Sequence, residues 1–212
     1  MTTGSAAEDG GGIYTKVQTH LSVCDIRGIA NLGGGIYVGG STTTLDSCTV
    51  SGNCTSSSST GGGIYVAAGS SVTINSSTVS GNSVAKGGGI YALGHASVTL
   101  STINGSSATI GGGGIAVSGT SGSLTLDRST VSDNTAYSYM TATTGGGVLL
   151  AGTSSSKVSA TITASTISGN KSVRGAGIDV SYADISVSNC TIAKNKIIGD
   201  TTYAVSVRPS TG

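Results

Sequence analysis

The sequence contains little charge, one proline and no phenylalanine or tryptophan. Only 9% of its 212 residues are charged and the formal net charge is +1, so electrostatics give no reason to expect a nucleic acid or an anionic membrane as partner. The single proline accompanies 36 glycines, which follow no every-third-residue pattern, and this excludes collagen. Apolar runs are only a handful of residues long, so no transmembrane segment is predicted.

The chain is built instead from a repeated unit rich in glycine, isoleucine, serine and asparagine. In its clearest copy, residues 61–82, apolar side chains alternate with polar ones at Ile64 and Val66 and again at Val72 and Ile74. Alternation with period 2 is typical of a strand with one buried face. Three such strands and three bends, repeated along a chain, describe the coil of a parallel β-helix.

Copies of this unit run from end to end of the sequence. Each opens with an aliphatic residue after a glycine run or its degenerate form, and these residues recur every 23 to 33 positions: Ile13, Ile36, Ile64, Ile90, Ile115, Val148, Ile178 and Val205. The pattern predicts an all-β, right-handed parallel β-helix of about seven to eight three-stranded coils. We expect residues 10–212 to form one solenoid domain and residues 1–9 to be disordered or a partial cap.

Asparagines follow the third strand of the repeat at one position: Asn53, Asn82, Asn134, Asn170 and Asn195. Asparagine suits a tight corner because it tolerates left-handed backbone and its amide can bond to turn peptides. Stacked coils would also let these amides bond to one another as a ladder. We therefore interpret them as structural, with Gly52, Gly81 and Gly169 supplying positive φ before them.

The sequence does not decide whether the four cysteines are reduced or form a disulfide. Cys24, Cys48 and Cys190 occupy an inward position that is serine in other coils, so packing is the simplest interpretation. Cys24 and Cys48 fall in successive coils, about 4.8 Å apart, a separation that a disulfide can span although parallel Cβ vectors fit it poorly. Cys54 is the other candidate partner, and at most one internal disulfide is expected.

The two tetrapeptides of the repeat resemble those of a known group of proteins. Gly-Gly-Gly-Ile and Val-Ser-Gly-Asn are similar to the Gly-Gly-Ala-Ile/Val/Leu and Phe-x-x-Asn repeats of polymorphic outer membrane proteins and the wider pectate-lyase-like β-helix surface proteins. The first matches at 34–36, 62–64, 88–90 and 175–178, and the second at 50–53, 79–82, 131–134, 167–170 and 192–195. Valine or isoleucine always replaces the phenylalanine.

This resemblance implies a secreted passenger involved in adhesion, located outside the cell or on its surface. The first residues lack the basic and apolar regions of a secretory signal. The protein is therefore expected either to stay inside the cell or to be a segment of a longer chain, and its richness in glycine, serine and threonine with low charge favours the second.

The carboxylate and imidazole side chains that catalysis would need are scattered along the sequence. Polysaccharide-cleaving enzymes with this fold need clustered carboxylates, whereas the single glutamate, Glu8, lies near the start of the chain. Asp46 and Asp127 share a register but lie three coils, or about 14 Å, apart. His20 and His95 have no partner that the sequence identifies. We therefore predict a protein that is not an enzyme and has no metal site and no cofactor.

Tyrosines recur beside the buried isoleucine in four coils: Tyr14, Tyr37, Tyr65 and Tyr91. As outward residues on stacked strands they would form an aromatic row. The row is interpreted either as a cover that shields the glycine-rich strands and stabilises the stack, or as a surface that binds sugar or protein.

Hydroxyl side chains form a second row on the third strand: Thr49, Ser51, Thr78, Ser80, Thr130, Ser132, Thr166 and Ser168. The preceding strand adds Thr44, Thr73, Thr99, Thr125 and Thr161. Flat, uncharged threonine arrays look like the faces of ice-binding β-solenoids. Threonine and serine are, however, also ordinary outward residues of strands.

These observations favour a non-catalytic secreted or cell-surface β-helix segment with a structural, adhesive or assembly role. An ice-binding or other flat-surface recognition module is the alternative. The predicted partners are a protein, a glycan or an ice surface, together with end-to-end self-association through bare strand edges. The longest insertion, residues 135–144, contains the candidate contact residues Tyr137, Tyr139 and Met140.

Overall fold

The computed structural model describes residues 2–5, 11–29, 34–54, 60–137, 144–198 and 205–208. All the regular structure in these ranges is β-strand, and the strands form four sheets in which neighbours run parallel. We number the sheets 1 to 4 in the order in which the chain visits them within one coil. This confirms the predicted all-β parallel solenoid.

Sheet 1 follows the glycine runs, and sheet 2 follows sheet 1 after a bend. Sheet 1 consists of Ile13–Thr15, Ile36–Val38, Ile64–Val66, Ile90–Ala92, Ile115–Ser118, Val148–Ala151, Ile178–Ser181 and Val205–Arg208. Sheet 2 consists of Thr19–Ser22, Thr42–Asp46, Ser71–Asn75, His95–Thr99, Ser123–Asp127, Val158–Thr163 and Ala183–Ser188.

Sheet 3 carries the Thr-x-Ser strands, and sheet 4 leads back to the next glycine run. Sheet 3 consists of Thr2–Ser5, Asp25–Ile29, Thr49–Ser51, Thr78–Ser80, Thr102–Asn104, Thr130–Ser132, Thr166–Ser168 and Thr191–Ala193. Sheet 4 consists of Ser83–Lys86, Ser107–Gly111, Thr135–Ala136, Lys171–Ser172 and Lys196–Ile197. Thr2–Ser5 pairs with Asp25–Ile29, whereas the domain boundary at residue 10 stays a prediction.

The register of sheet 1 confirms the predicted repeat. Each aliphatic residue that opens a copy is paired with the corresponding residue of the next coil, from Ile13 through to Val205. The three predicted strands of the coil are present, and the short sheet 4 adds a fourth strand to five of the coils. About six turns are complete, fewer than the predicted seven to eight, since the coils at both ends are not described in full.

The core is a set of aliphatic columns inside the solenoid. Ile64, Ile74 and Val79 of a single coil have no exposed surface and meet the equivalent residues of the coils on either side. Each buried side chain contributes about 1.5–3 kcal/mol, while each ordered residue costs about 1–2 kcal/mol of backbone entropy. One coil alone therefore cannot fold, and stacking supplies the missing burial and hydrogen bonds.

The corner between sheets 2 and 3 is a single left-handed residue followed by a buried small polar residue. The left-handed positions have φ between 46° and 55° and are Val23, Ser47, Ser76, Leu100, Arg128, Ala164 and Asn189. The next residue is serine or cysteine, and its side chain satisfies peptides at the corner. Ser101 Oγ, for example, accepts from the peptide N–H of Ser77 at 3.0 Å and donates to the carbonyl of Thr99 at 2.7 Å.

Cys24 and Cys48 occupy this serine position in the first two coils and form a disulfide. Their Cα atoms are 4.6 Å apart, which is the spacing of neighbouring parallel strands. The poor fit expected for parallel Cβ vectors therefore does not prevent the bond. Cys54 and Cys190 carry free thiols.

The corner between sheets 3 and 4 contains the asparagine ladder. Gly52, Gly81 and Gly169 have φ of 64°, 61° and 68°, as predicted. Asn134 and Asn170 that follow such corners are fully buried. Serine replaces asparagine at Ser106, where its peptide N–H still donates to Asn134 Oδ1 at 2.9 Å. The predicted ladder is confirmed, with this one interruption among the described coils.

The glycine triplets and the asparagines are parts of one arrangement. A Cβ added at Gly114, the last glycine before Ile115, would lie 2.9 Å from Asn134 Nδ2 and 2.7 Å from the carbonyl oxygen of Gly147. The same close approach to an asparagine amide occurs at Gly63 and Gly147. A side chain at the third glycine of the triplet would therefore meet the carbonyl oxygen of the next coil and, in coils that have a ladder asparagine, the amide of that asparagine as well.

Candidate surface sites

The Thr-x-Ser residues form two straight columns on the outer surface of sheet 3. The threonine column contains Thr49, Thr78, Thr102, Thr130, Thr166 and Thr191, and the serine column contains Ser51, Ser80, Ser132 and Ser168 with Asn104 and Ala193 in line. Successive rungs are about 4.8 Å apart. We call these two columns the hydroxyl face. At one end Asp25 pairs with Thr49 and forms an ion pair with Arg27 at 3.2 Å, so charge replaces hydroxyl there.

Sheet 2 extends the hydroxyl-bearing surface, with one difference from the prediction. Its outward column is Thr44, Thr73, Ser97, Thr125 and Thr161. The assignment of Thr99 to this column was wrong, because Ala96 rather than Val98 takes the first buried position in that strand. The bend before it is shortened to Leu93 and Gly94, so the strand begins earlier than the sequence pattern indicated.

A second polar column lies at the end of sheet 2, and it includes both carboxylates considered above. Asp46 is in register with Asn75, then Thr99, then Asp127, which confirms the predicted separation of three coils. Asn75 Nδ2 donates to Asp46 Oδ1 at 2.8 Å. The two carboxylates are therefore separated by the rungs of Asn75 and Thr99.

Asp127 is surrounded by hydrogen-bond donors. Arg128 Nε donates to its Oδ2 at 2.8 Å and Thr163 Oγ1 to its Oδ1 at 2.8 Å. The hydrogen bond from Arg128, followed by that from Thr163, holds the pKa of this half-buried carboxyl below its usual value of 3.8. A carboxylate stabilised in its ionised form is a poor general acid at neutral pH.

Both histidines have partners that the sequence did not identify. His20 Nε2 lies 2.8 Å from Asp46 Oδ2, on an exposed part of the surface. His95 Nδ1 lies 2.8 Å from Ser123 Oγ in the next coil. These contacts arise from strand register, which the isolated positions of the histidines in the sequence do not reveal.

The tyrosines stack on the outside of sheet 1 as a column. Ring centroids are 4.8 Å apart for Tyr14 and Tyr37, 4.9 Å for Tyr37 and Tyr65, and 5.7 Å for Tyr65 and Tyr91. Lys16 Nζ lies 5.4 Å from the centroid of the Tyr14 ring, within range of a cation–π interaction. We call these four residues the tyrosine column.

Burial changes along the tyrosine column. Tyr14 is 42% exposed, whereas Tyr65 and Tyr91 are each 9% exposed. A Cβ added at Gly87 would lie 2.7 Å from Tyr91 Cβ, so the tyrosine covers the glycine run that precedes it. This geometry favours the interpretation as a cover, and only the Tyr14 end offers an exposed ring.

Other candidate positions are more isolated. Tyr137 is exposed, and its peptide N–H donates to the carbonyl of Ala108 at 2.9 Å. The other two candidate contacts of this insertion, Tyr139 and Met140, lie outside the described residues. Asp179 is fully buried, and its Oδ2 accepts from the peptide N–H of Thr144 at 2.8 Å, a structural contact that anchors the chain after the insertion.

The described ranges contain no group of three or more histidine, cysteine, aspartate or glutamate side chains that could hold a metal ion. No helix in them is long and apolar enough to cross a membrane.

Parallel sheets, internal columns and repeated corners define a β-solenoid. Comparison with family models matches residues 10–192 to the right-handed β-helix region family, and the chain belongs to this family. The family includes pectate-lyase-like enzymes as well as proteins that are not enzymes, and its domains are often found in extracellular or surface proteins. Searches of curated sequences and of solved structures gave no match to this chain.

Proposed function

We propose that this chain is a non-catalytic β-helix segment of a secreted or cell-surface protein, with a structural and adhesive role of the kind seen in polymorphic outer membrane proteins. The observation that carries the proposal is the hydroxyl face, an uncharged surface held in register over successive coils. Regularly spaced hydroxyl groups suit hydrogen bonding to an extended neutral partner such as a glycan chain. The dispersed carboxylates give no comparable support for catalysis.

The Cys24–Cys48 disulfide supports a location outside the reducing cytoplasm. On the producing cells, maleimide labelling after denaturation should modify Cys54 and Cys190 and leave Cys24 and Cys48 unlabelled until a reductant is added. The protein should also be accessible to protease added to intact cells. Four reactive thiols and full protection from external protease would contradict a surface location.

Adhesion is tested by binding of the purified chain to arrays of neutral glycans. The double variant Thr78→Lys and Thr130→Lys places two long cations in the threonine column and should lower binding at least tenfold. A matched control, Ser83→Lys with Thr135→Lys, makes the same change on sheet 4 and should bind as the wild type does. Equal loss in both variants would show that the hydroxyl face is not the adhesive surface.

Ice binding is the second candidate, favoured by the straight threonine columns of sheets 2 and 3 with rungs about 4.8 Å apart. Thermal hysteresis of the wild type should disappear in Thr78→Tyr and Thr130→Tyr, which break the flat surface. Thr153→Tyr, in an exposed turn between sheets 1 and 2, is the control. Unaffected ice growth in the presence of the wild type would exclude this function.

End-to-end association is a third candidate, and it would use apolar side chains on the coil that contains Ala183–Ser188 and Thr191–Ala193. Val187 and Ile192 are 42% and 36% exposed, although they pair with Ile162 and Ile167, which are completely buried. Light scattering should show a mass that rises with protein concentration, and Val187→Lys with Ile192→Lys should abolish the rise. A constant monomer mass for the wild type would contradict assembly through this end.

A further inference from the structure

Positive charge is concentrated in the described range 144–198. This range holds five of the ten lysine and arginine residues but only two of the nine acidic ones, so its net charge is +3 against −2 for the rest of the chain. Of the two acidic residues, Asp179 is fully buried and Asp184 is paired with Lys157 at 3.2 Å. The other cations of this range are therefore not matched by an equal number of surface carboxylates.

Two of these cations lie on adjacent rungs of sheet 4. Lys171 is paired in register with Lys196. In the three preceding coils the same position is serine or threonine: Ser83, Ser107 and Thr135. Both lysines are exposed, whereas the residue that follows each of them is more buried, so the two side chains lie on the outside of the solenoid. Like charges directly opposite each other on neighbouring strands are destabilising.

A third cation stands at the corner that precedes Lys196. Lys194 is exposed and has a φ of 57°. In four other coils this corner position is glycine, with φ between 60° and 68°: Gly52, Gly81, Gly105 and Gly169. A lysine in left-handed backbone is strained relative to glycine. Asn195, between the two lysines, donates inward to the carbonyl of Ile167 at 2.9 Å, and both lysines flank it on the outer surface.

We call Lys171, Lys194 and Lys196 the lysine cluster. The ion pairs among the described residues all involve other side chains. Asp133 occupies the same corner position as Lys194 two rungs earlier, with Gly169 between them, which places their backbones about 9.6 Å apart. The like-charged pair and the left-handed lysine are each unfavourable for folding, and features of this kind are typical of functional positions. Here both features place cations on the same edge of the solenoid.

The size of the cluster indicates which kind of polyanion it suits. Proteins that bind nucleic acid commonly contact about 6–10 phosphates, and clusters that bind anionic membranes contain about 4–8 basic residues. Three lysines are few for either partner. Lysine is also a compact point charge, without the planar fork that arginine offers to phosphate. Single cations about 4.8 Å apart on successive rungs suit single anions spaced along an extended chain.

We propose that the lysine cluster binds an acidic polysaccharide, a sugar chain that carries sulfate or carboxylate groups along its length. The anions pair with the three ammonium groups, and the sugar chain lies along sheet 4. A bound anion also offsets the repulsion between Lys171 and Lys196. The cluster is separate from the uncharged hydroxyl face of sheet 3, so the proposal goes beyond the neutral-glycan adhesion proposed above and does not depend on it.

The test measures surface plasmon resonance of the full chain on three polymers with one sugar backbone: dextran sulfate, carboxymethyl dextran and neutral dextran. The wild type should bind the charged polymers more tightly than neutral dextran, and the difference should shrink as salt is added. Lys171→Gln with Lys196→Gln should weaken binding to the charged polymers about tenfold, as expected for the loss of two exposed ion pairs. The control, Lys16→Gln with Lys157→Gln, lowers the net charge equally outside the cluster and should bind as the wild type does.

Two further variants separate loss of the site from loss of fold. Lys194→Gly restores the residue found at this corner in other coils, so it should unfold at or above the wild-type temperature and yet bind the charged polymers about threefold more weakly. Thr135→Lys adds a rung to the lysine column and should tighten binding by a similar factor. Thr161→Lys, an exposed position of sheet 2, is its control and should not.

The proposal is overturned if charged and neutral dextrans bind the wild type equally, or if the Lys171 and Lys196 double variant loses no more binding than its control. It is also overturned if Thr135→Lys and Thr161→Lys have the same effect. Tighter binding to a DNA duplex or to vesicles containing phosphatidylserine than to dextran sulfate, at one salt concentration, would overturn it in favour of those partners.

Discussion

The side-chain oxygen of Asn170 accepts two hydrogen bonds from Asn134, which lies one coil before it. Asn170 Oδ1 accepts from the peptide N–H of Asn134 at 3.0 Å and from Asn134 Nδ2 at 3.1 Å. Asn170 Nδ2 donates to the carbonyl of Val131 at 3.0 Å. Both residues are fully buried, so water cannot replace these bonds. The ladder therefore fixes the spacing of adjacent coils through polar contacts inside the solenoid.

Replacing Asn170 with alanine should destabilise the protein strongly. The change leaves the peptide N–H and the amide of Asn134 buried without their acceptor, and we expect a loss of about 3 kcal/mol in the free energy of unfolding. Denaturant unfolding monitored by circular dichroism measures the loss. Asn75→Ala removes an outward amide that donates to Asp46 Oδ1 and should cost about 1 kcal/mol or less. Equal losses would contradict a special role for the ladder.

Gly114→Ala tests the proposed connection between the glycine triplet and the ladder. The added methyl group would approach Asn134 Nδ2 and the carbonyl oxygen of Gly147 to within 3 Å, and we expect a cost of about 3 kcal/mol. Gly81→Ala is the matched control. Its Cβ would meet nothing within 4 Å, so only its positive φ contributes, at about 1 kcal/mol. A Gly114→Ala protein as stable as Gly81→Ala would show that neither the amide nor the carbonyl oxygen restricts this position.

The repeat could be predicted because its sequence signals are periodic and because each of the marked positions accepts few residue types. Isoleucine or valine after a glycine run, and asparagine after a strand, mark positions where few residue types fit. Register then follows from spacing, and the structure pairs Ile64 with Ile90 and places Asn53 against Asn82. The reason for the third glycine was not visible, because the contact between Gly63 and the amide of Asn82 joins residues that are distant in sequence.

Structural features that leave only a weak signal in the local sequence were not predicted. The corner between sheets 2 and 3 needs a left-handed residue, but residues such as Val23, Leu100 and Arg128 occupy it, and only the coil with Asn189 marks it with an asparagine. Stacked hydrogen bonds from the buried serines that follow hold these residues in a conformation that is unfavourable for them alone. Sheet 4 strands such as Lys171–Ser172 are too short to show alternation.

Asn104→Ser should stabilise the chain. Asn104 stands in the serine column between Ser80 and Ser132, and its Oδ1 is buried with no hydrogen-bond partner among the described residues. Serine matches the neighbouring rungs and removes the buried acceptor, for an expected gain of about 1 kcal/mol. Thermal and denaturant unfolding measure the change. A loss of stability would indicate that the asparagine makes a contact that serine cannot replace.

The disulfide should stabilise the N-terminal coils. It joins residues separated by 24 positions, and closure of a loop of this length corresponds to about 3 kcal/mol in the chain-entropy model. The Cys24→Ser and Cys48→Ser double variant keeps a small polar side chain at both corners, so it isolates the effect of the bond. We expect it to unfold at lower denaturant concentration and to be insensitive to reductant. Wild-type stability that is unaffected by reductant would contradict the prediction.

Burial of Tyr91 should make stability depend on alkaline pH. Desolvation raises the pKa of its phenol above 10.0, and the hydrogen bond to Ser118 opposes this in part. Because the folded state holds the proton more tightly than the unfolded state, the contribution to stability is complete below about pH 10 and is lost as the pH rises through the folded-state pKa. The difference in absorbance titration between the wild type and Tyr91→Phe isolates this group. Ser118→Ala should move its midpoint further upward, and a midpoint at or below 10.0 in the wild type would show that the phenol of Tyr91 is open to water.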